Sequence, residues 1–224
     1  MAEAGNSGGG ARKRKMADKK DAGGARKLAP NSNWPAIKSK KNLQITRLKD
    51  SDLFTVPEFL SATESKAFIR AAESIGFVHQ GSLGPTMGEA YRDNDRISVN
   101  DPVLASTLWD SGLSKLFSDI KIRGKVAVGL NPNIRFYRLL IYLSGSSKAK
   151  ASKSELDSQK DASMVPLVGG ETVFYGWRNN VVAEVAPAEG MALLHIHGDK
   201  CMLHEARNVS KGMKYVFRSD VAFA

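Results

Sequence analysis

Apolar positions recur along this chain with two different periods, and the change from one to the other divides it. Between Ser61 and Gly76, Phe68, Ile69, Ala72 and Ile75 fall at the spacing that lines one face of a helix. Ser61-Ala-Thr-Glu64 ahead of them is a capping box: the serine accepts from the third amide and the glutamate reaches back to the first. Gly76 ends that helix. A second helix is predicted over residues 101–117, with Asp101 as cap, Pro102 in the first position, and Val103, Leu104, Leu108, Leu113 and Leu116 as the apolar stripe. Ahead of both, residues 43–48 alternate like a strand, and Phe54, Val56 and Phe59 lead into the first cap. After Gly124 the period becomes that of strands, predicted at residues 126–129, 134–143, 171–175, 181–185, 191–195, 202–205 and 213–222. Gly169-Gly170 and Gly190 mark turns. Helices followed by strands predict an α+β domain with two helices buttressing an antiparallel double sheet.

Chemistry-bearing residues gather in one stretch, residues 191–220, which holds three of the four histidines (His195, His197 and His204) and the only cysteine, Cys201. A turn at residues 208–212 predicts a hairpin that sets His204 opposite Lys214, with Cβ atoms about 5 Å apart. Beyond the turn, Lys214, Val216, Arg218 and Asp220 face one way, and Tyr215, Phe217, Ser219 and Val221 the other. A sheet face that carries fixed charge next to a histidine is expected to line a polar pocket. His197-Gly198-Asp199, with His204 after it, is a second grouping that a curled loop would bring round a metal.

Charge changes the picture mainly by its location. Residues 1–50 hold 13 Lys/Arg against 4 Asp/Glu, so the formal net charge of +10 belongs almost wholly to the N-terminal region. Residues 1–42 are rich in Gly, Ala, Lys and Ser and are expected to be a disordered basic tail. Arg12-Lys13-Arg14-Lys15 within it is a cluster that nuclear import or a nucleic-acid phosphate backbone could use. One cysteine excludes an intrachain disulfide. With no apolar leader core and no run near the roughly 20 residues of a membrane span, the expectation is a nuclear or cytoplasmic protein without a membrane partner. His79 stands alone and reads as a surface or core histidine. Residues 81–100, with Arg92, Asp93, Asp95 and Arg96, read as a solvated or salt-bridged loop, and residues 144–164 as a low-complexity Ser/Lys loop.

Several segments together carry a resemblance. Asn131-Pro-Asn-Ile-Arg-Phe-Tyr-Arg138, Leu140-Ile-Tyr-Leu-Ser144, Gly169-Gly-Glu-Thr-Val-Phe-Tyr175, Leu203-His-Glu205 and Gly212-Met-Lys214-Tyr215 resemble the prolyl 4-hydroxylase branch of the Fe(II)/2-oxoglutarate dioxygenases, in particular its plant-type intracellular members. The resemblance covers residues 43–224. It implies a double-stranded β-helix, or jelly roll, that oxidises a peptide or protein side chain with O₂ and 2-oxoglutarate, with Fe(II) and ascorbate as cofactors. It also implies that His204 is an iron ligand and that Lys214 is the cation for the far carboxylate of 2-oxoglutarate, with Arg218 as second choice. A buried ammonium is costly unless paired, and the cosubstrate supplies the partner.

The same resemblance implies a gap. The family's other two ligands form a His-x-Asp or His-x-Glu motif on a strand between the Phe-Tyr-Arg and Leu-Ile-Tyr-Leu stretches, yet here Arg138 abuts Leu139. At that point alternation over residues 134–138 becomes a continuous apolar run over 139–143, as if two strands were joined without their connection. Such a chain is expected to be a truncated isoform, incomplete between 138 and 139, with an opened barrel, exposed edges and no turnover, because ligand count and arrangement define an open iron site. The competing expectation is a non-catalytic module whose basic tail and remnant sheet bind nucleic acid or a protein partner.

Overall fold

The structure, a computed structural model, describes residues 34–81, 93–97, 99–130, 137–146 and 165–224. The basic cluster at Arg12–Lys15, most of the 131–138 motif and most of the two long loops lie outside these residues. In chain order the elements are β1 (Thr46–Lys49), β2 (Leu53–Val56), α1 (Ala62–Ile75), β3 (Val78–Gly81), β4 (Asp93–Arg96), α2 (Pro102–Leu108), α3 (Ser114–Leu116), β5 (Lys121–Ile122) and β6 (Lys125–Leu130). They continue as β7 (Tyr137–Tyr142), β8 (Val168–Gly169), β9 (Thr172–Tyr175), β10 (Val181–Val185), β11 (Ala192–Ile196), β12 (Leu203–Ala206), β13 (Val209–Lys211) and β14 (Val216–Phe223).

Among the described residues these strands form a seven-stranded sheet, β1-β2-β11-β7-β14-β6-β5, and a three-stranded sheet, β10-β9-β12, with two small ribbons, β13-β8 and β3-β4. Pairing within both sheets is antiparallel. The architecture is that of a curled, mostly antiparallel β-sandwich with few helices.

Strand parity decides which core each residue joins. On β11, Ala192, Leu194 and Ile196 point into a first core with Phe68 and Ile69 of α1, Leu104 and Leu108 of α2, and Val221 and Phe223 of β14. Leu193 points the other way, into a second core shared with Leu53, Tyr142, Phe174, Val185, Met191 and Met202. That second core is the layer between the two sheets. The alternation read on residues 214–221 agrees: Tyr215, Phe217 and Val221 pack with the first core.

The first helix is capped as its sequence requires, with both bonds of the box between Ser61 and Glu64 present. The second departs from a single helix over residues 101–117. Its regular part stops at Leu108, a wide turn follows over Trp109–Leu113, and Gly112 adopts φ +146°. A Cβ at Gly112 would lie 3.1 Å from the Lys40 carbonyl oxygen, and the Lys40 amide donates to the Ser111 carbonyl at 2.6 Å. Docking of the segment before β1 therefore selects the glycine and interrupts the helix.

The hairpin expected between His204 and Lys214 does not form. The strand of His204, β12, pairs with β9, whereas β14 pairs with β7 and β6. The intervening residues zip instead to β8 through β13, so the chain crosses from one sheet to the other. Ser144 clamps the crossing: its Oγ donates to the Met213 carbonyl and accepts from the Tyr215 amide, both at 2.9 Å. Residues 93–96, read as part of a loop, form a strand paired with β3.

At the Arg138–Leu139 junction, β7 keeps its register with both neighbours, from Tyr137 opposite Ile196 and Val221 to Ile141 opposite Ala192 and Phe217. The apolar run there follows from cover on both faces: Ile141 and Leu143 join the first core and Tyr142 the second.

Candidate functional site

The second core is where inward-facing polar groups meet. On β12, His204 sits opposite Phe174 of β9 and stacks on its ring, with centroids 5.4 Å apart and planes 27° apart. From the facing sheet, His195 has the parity of Leu193, is fully buried, and meets the same Phe174 edge-on at 5.3 Å. The two imidazoles lie 4.7 Å apart, centroid to centroid. Cys201, just before β12, places its Sγ 4.0 Å from Nδ1 of His204. One donor atom from each of His195, Cys201 and His204 lies within 4.8 Å of the others.

Backbone carbonyls orient both rings. Nδ1 of His204 is 2.8 Å from the Met202 carbonyl oxygen, and Nδ1 of His195 is 3.1 Å from that of Ile196. A carbonyl only accepts, so each Nδ1 carries the hydrogen and each ring keeps its lone pair on Nε2.

Lys214 lies on the same inner layer, farther along. Its ammonium donates to the Gly170 carbonyl and sits 5.3 Å above the centre of the Tyr142 ring. Burial pushes its pKa down, and the Glu171 carboxylate acts in the opposite direction. Tyr142 itself is buried, hydrogen-bonded to the Thr172 hydroxyl at 2.7 Å, and pushed up to about 12 by burial against the effect of that bond. Across the large sheet, Tyr142 is level with Val216, Leu140 with Arg218, and position 138 with both Asp220 and His195. The histidine pair and the Tyr142 level are thus separated by four strand positions, about 13 Å at the usual rise. Arg218 falls between them and is exposed, although β14 has neighbours on both sides.

His204 and Lys214 therefore both border the inner layer, but not as hairpin partners, while Arg218 stays exposed. The His197–Asp199–His204 grouping is not assembled: Asp199 is solvent-facing and paired with Arg123 at 2.7 Å. His79 has an acid after all, Asp95, 3.0 Å away on the adjacent strand.

The residues that sequence reasoning passed over are His195 and Cys201. Their signals were a histidine at inward parity in an otherwise apolar strand, and a Cys-x-x-His spacing. Two imidazoles and a thiol, with no carboxylate in the group, do not fit the two-histidine, one-carboxylate iron site that the resemblance implies. Lys214 does fit one carboxylate of a keto diacid, since a half-buried ammonium gains most from an anionic partner. Among the described residues, no helix is long and apolar enough to cross a membrane. No protein-family model and no curated protein sequence matches the chain.

Proposed function

We propose that this chain is a jelly-roll domain of the Fe(II)/2-oxoglutarate dioxygenase type, similar to the prolyl 4-hydroxylase branch, in a form without turnover. The observation that carries the reading is an incomplete second layer. The small sheet begins near β1, which β10 touches, and stops at β12, whose outer edge has no partner strand among the described residues. Beyond that edge no described element covers the large sheet, and Val216 is 38% and Val128 53% exposed.

A jelly roll has eight strands in two sheets. Here β11-β7-β14-β6 supply four and β10-β9-β12 three. An eighth strand would pair with the free edge of β12, beside His204, where the His-x-Asp ligands are wanted. Without it, His204 is the one iron ligand of the family pattern that remains, and one histidine does not hold iron in open facial geometry. Lys214 keeps the carboxylate-binding role, with Arg218 as the second cation.

The test is an assay for succinate from 2-oxoglutarate with the full chain, Fe(II), ascorbate and proline-containing peptides. Succinate is expected at the metal-free background. Formation above it that disappears in His204→Ala would refute the proposal. Binding of 2-oxoglutarate measured by calorimetry should weaken at least about tenfold in Lys214→Met, the usual size of a lost charge-assisted bond.

A further inference from the structure

The donor set that does not suit iron suits another ion. We propose that His195, Cys201 and His204 form a binding site for a borderline-soft divalent cation, zinc above all, held between the two sheets by two imidazoles and one thiolate. The inference stands on this cluster alone; it needs neither the dioxygenase reading nor a keto acid.

Three observations support it independently. The donors come from three segments, β11, the loop before β12, and β12 itself, and converge within 4.8 Å. Both imidazoles have Nδ1 against a backbone carbonyl, the outer arrangement that sets a metal-binding histidine's tautomer and presents Nε2. Phe174, fully buried, walls both rings, and such an apolar wall keeps competing water from the ion.

Bond lengths of about 2.0 Å to nitrogen and 2.3 Å to sulfur put tetrahedral donors about 3.5 Å apart. The donor atoms of the three residues all lie within 4.8 Å of one another, so the longest separation must close by about 1 Å. Cys201 lies outside the strands and is half-buried, so it is the donor that can move. Binding displaces the thiol proton to solvent, leaving the thiolate as ligand. Thiolate with imidazole selects zinc over magnesium or calcium, and zinc precedes Fe(II) in intrinsic affinity. Three protein donors leave a fourth tetrahedral position for water or a small anion.

Because Cys201 is the only cysteine, its alkylation rate reports on this site without ambiguity. With the full chain and zinc alone, one equivalent is expected to slow alkylation at least about tenfold, since a metal-held thiolate is withheld as nucleophile. A chelator should restore the rate. Cobalt(II) should give a thiolate charge-transfer absorption that is absent in Cys201→Ser. His204→Ala, with its fold checked by circular dichroism, should lose the zinc protection; His195→Gln should do the same but is the riskier variant, being fully buried. An alkylation rate indifferent to zinc, protection that survives in His204→Ala, or cobalt absorption unchanged in Cys201→Ser would each overturn the proposal.

Discussion

Glu64 shows how much one side chain can concentrate. Its carboxylate accepts from the Ser61 amide at 2.8 Å, the Lys38 amide at 2.7 Å and the Lys40 ammonium at 2.7 Å. Burial alone would raise its pKa, but these bonds overcome it and hold the carboxyl at about 2, against an ordinary 4.5. Because the folded value is depressed, the contribution is fully present above pH 4.5 and is lost as pH falls toward 2; it amounts to about 3 kcal/mol. Urea unfolding at pH 6 and pH 3 should show about two-thirds of that loss in the wild type. In Glu64→Gln the same interval should be nearly flat, from a starting stability lower by about 2–4 kcal/mol. The bond to Ser61 was legible in the four-residue spacing. The Lys38 and Lys40 bonds, 26 and 24 residues away, were not. The same distance rule hid the site: Cys201 and His204 are three apart, but nothing local says that His195 on another sheet will meet them.

Elements carry consequences that single residues do not. The strand β12 is short, lies at the edge of its sheet and turns Leu203 outward at 65% exposure. An unpaired edge with an exposed leucine is a template for association. Leu203→Lys is expected to reduce concentration-dependent self-association in sedimentation velocity while changing stability by less than about 0.5 kcal/mol, the usual range for surface substitutions. The entry to β11 behaves oppositely. Gly190 has φ +76°, its carbonyl accepts from the Leu60 amide at 2.9 Å, and a Cβ there would collide with the Leu60 carbonyl. Gly190→Ala should cost more than about 2 kcal/mol in denaturant unfolding, combining left-handed strain with that clash. A turn at Gly190 could be read from the sequence. The close approach that makes glycine obligatory there could not.

For the molecule as a whole, the decisive feature is unequal cover. Among the described residues, one face of the large sheet is sealed by helices, while the other is sealed only as far as the small sheet reaches. Positions of the same residue type therefore differ in weight. Leu193 is fully buried between the sheets, and Leu193→Ala should destabilise by about 2–5 kcal/mol. Val128 and Val216, beyond the edge of the small sheet, are open. Replacing both by Thr should lower binding of a hydrophobic dye without a comparable loss of stability; an equal loss would mean that this face is covered in solution.

What the amino-acid sequence determined by itself was local: the capped first helix, most of the strands, and the parity that sends Phe217 and Val221 to one face and Lys214 and Arg218 to the other. These follow from steric and apolar periods that act within a few residues. Partner choice was left to the tertiary structure. Period two says which face a side chain takes, but not which strand will lie beside it or which sheet it will join. So the crossing of β13 between sheets, the break at Gly112 and the convergence of His195, Cys201 and His204 appear only once distant segments have paired, because hydrogen-bond register and layer packing are set between strands and not along them.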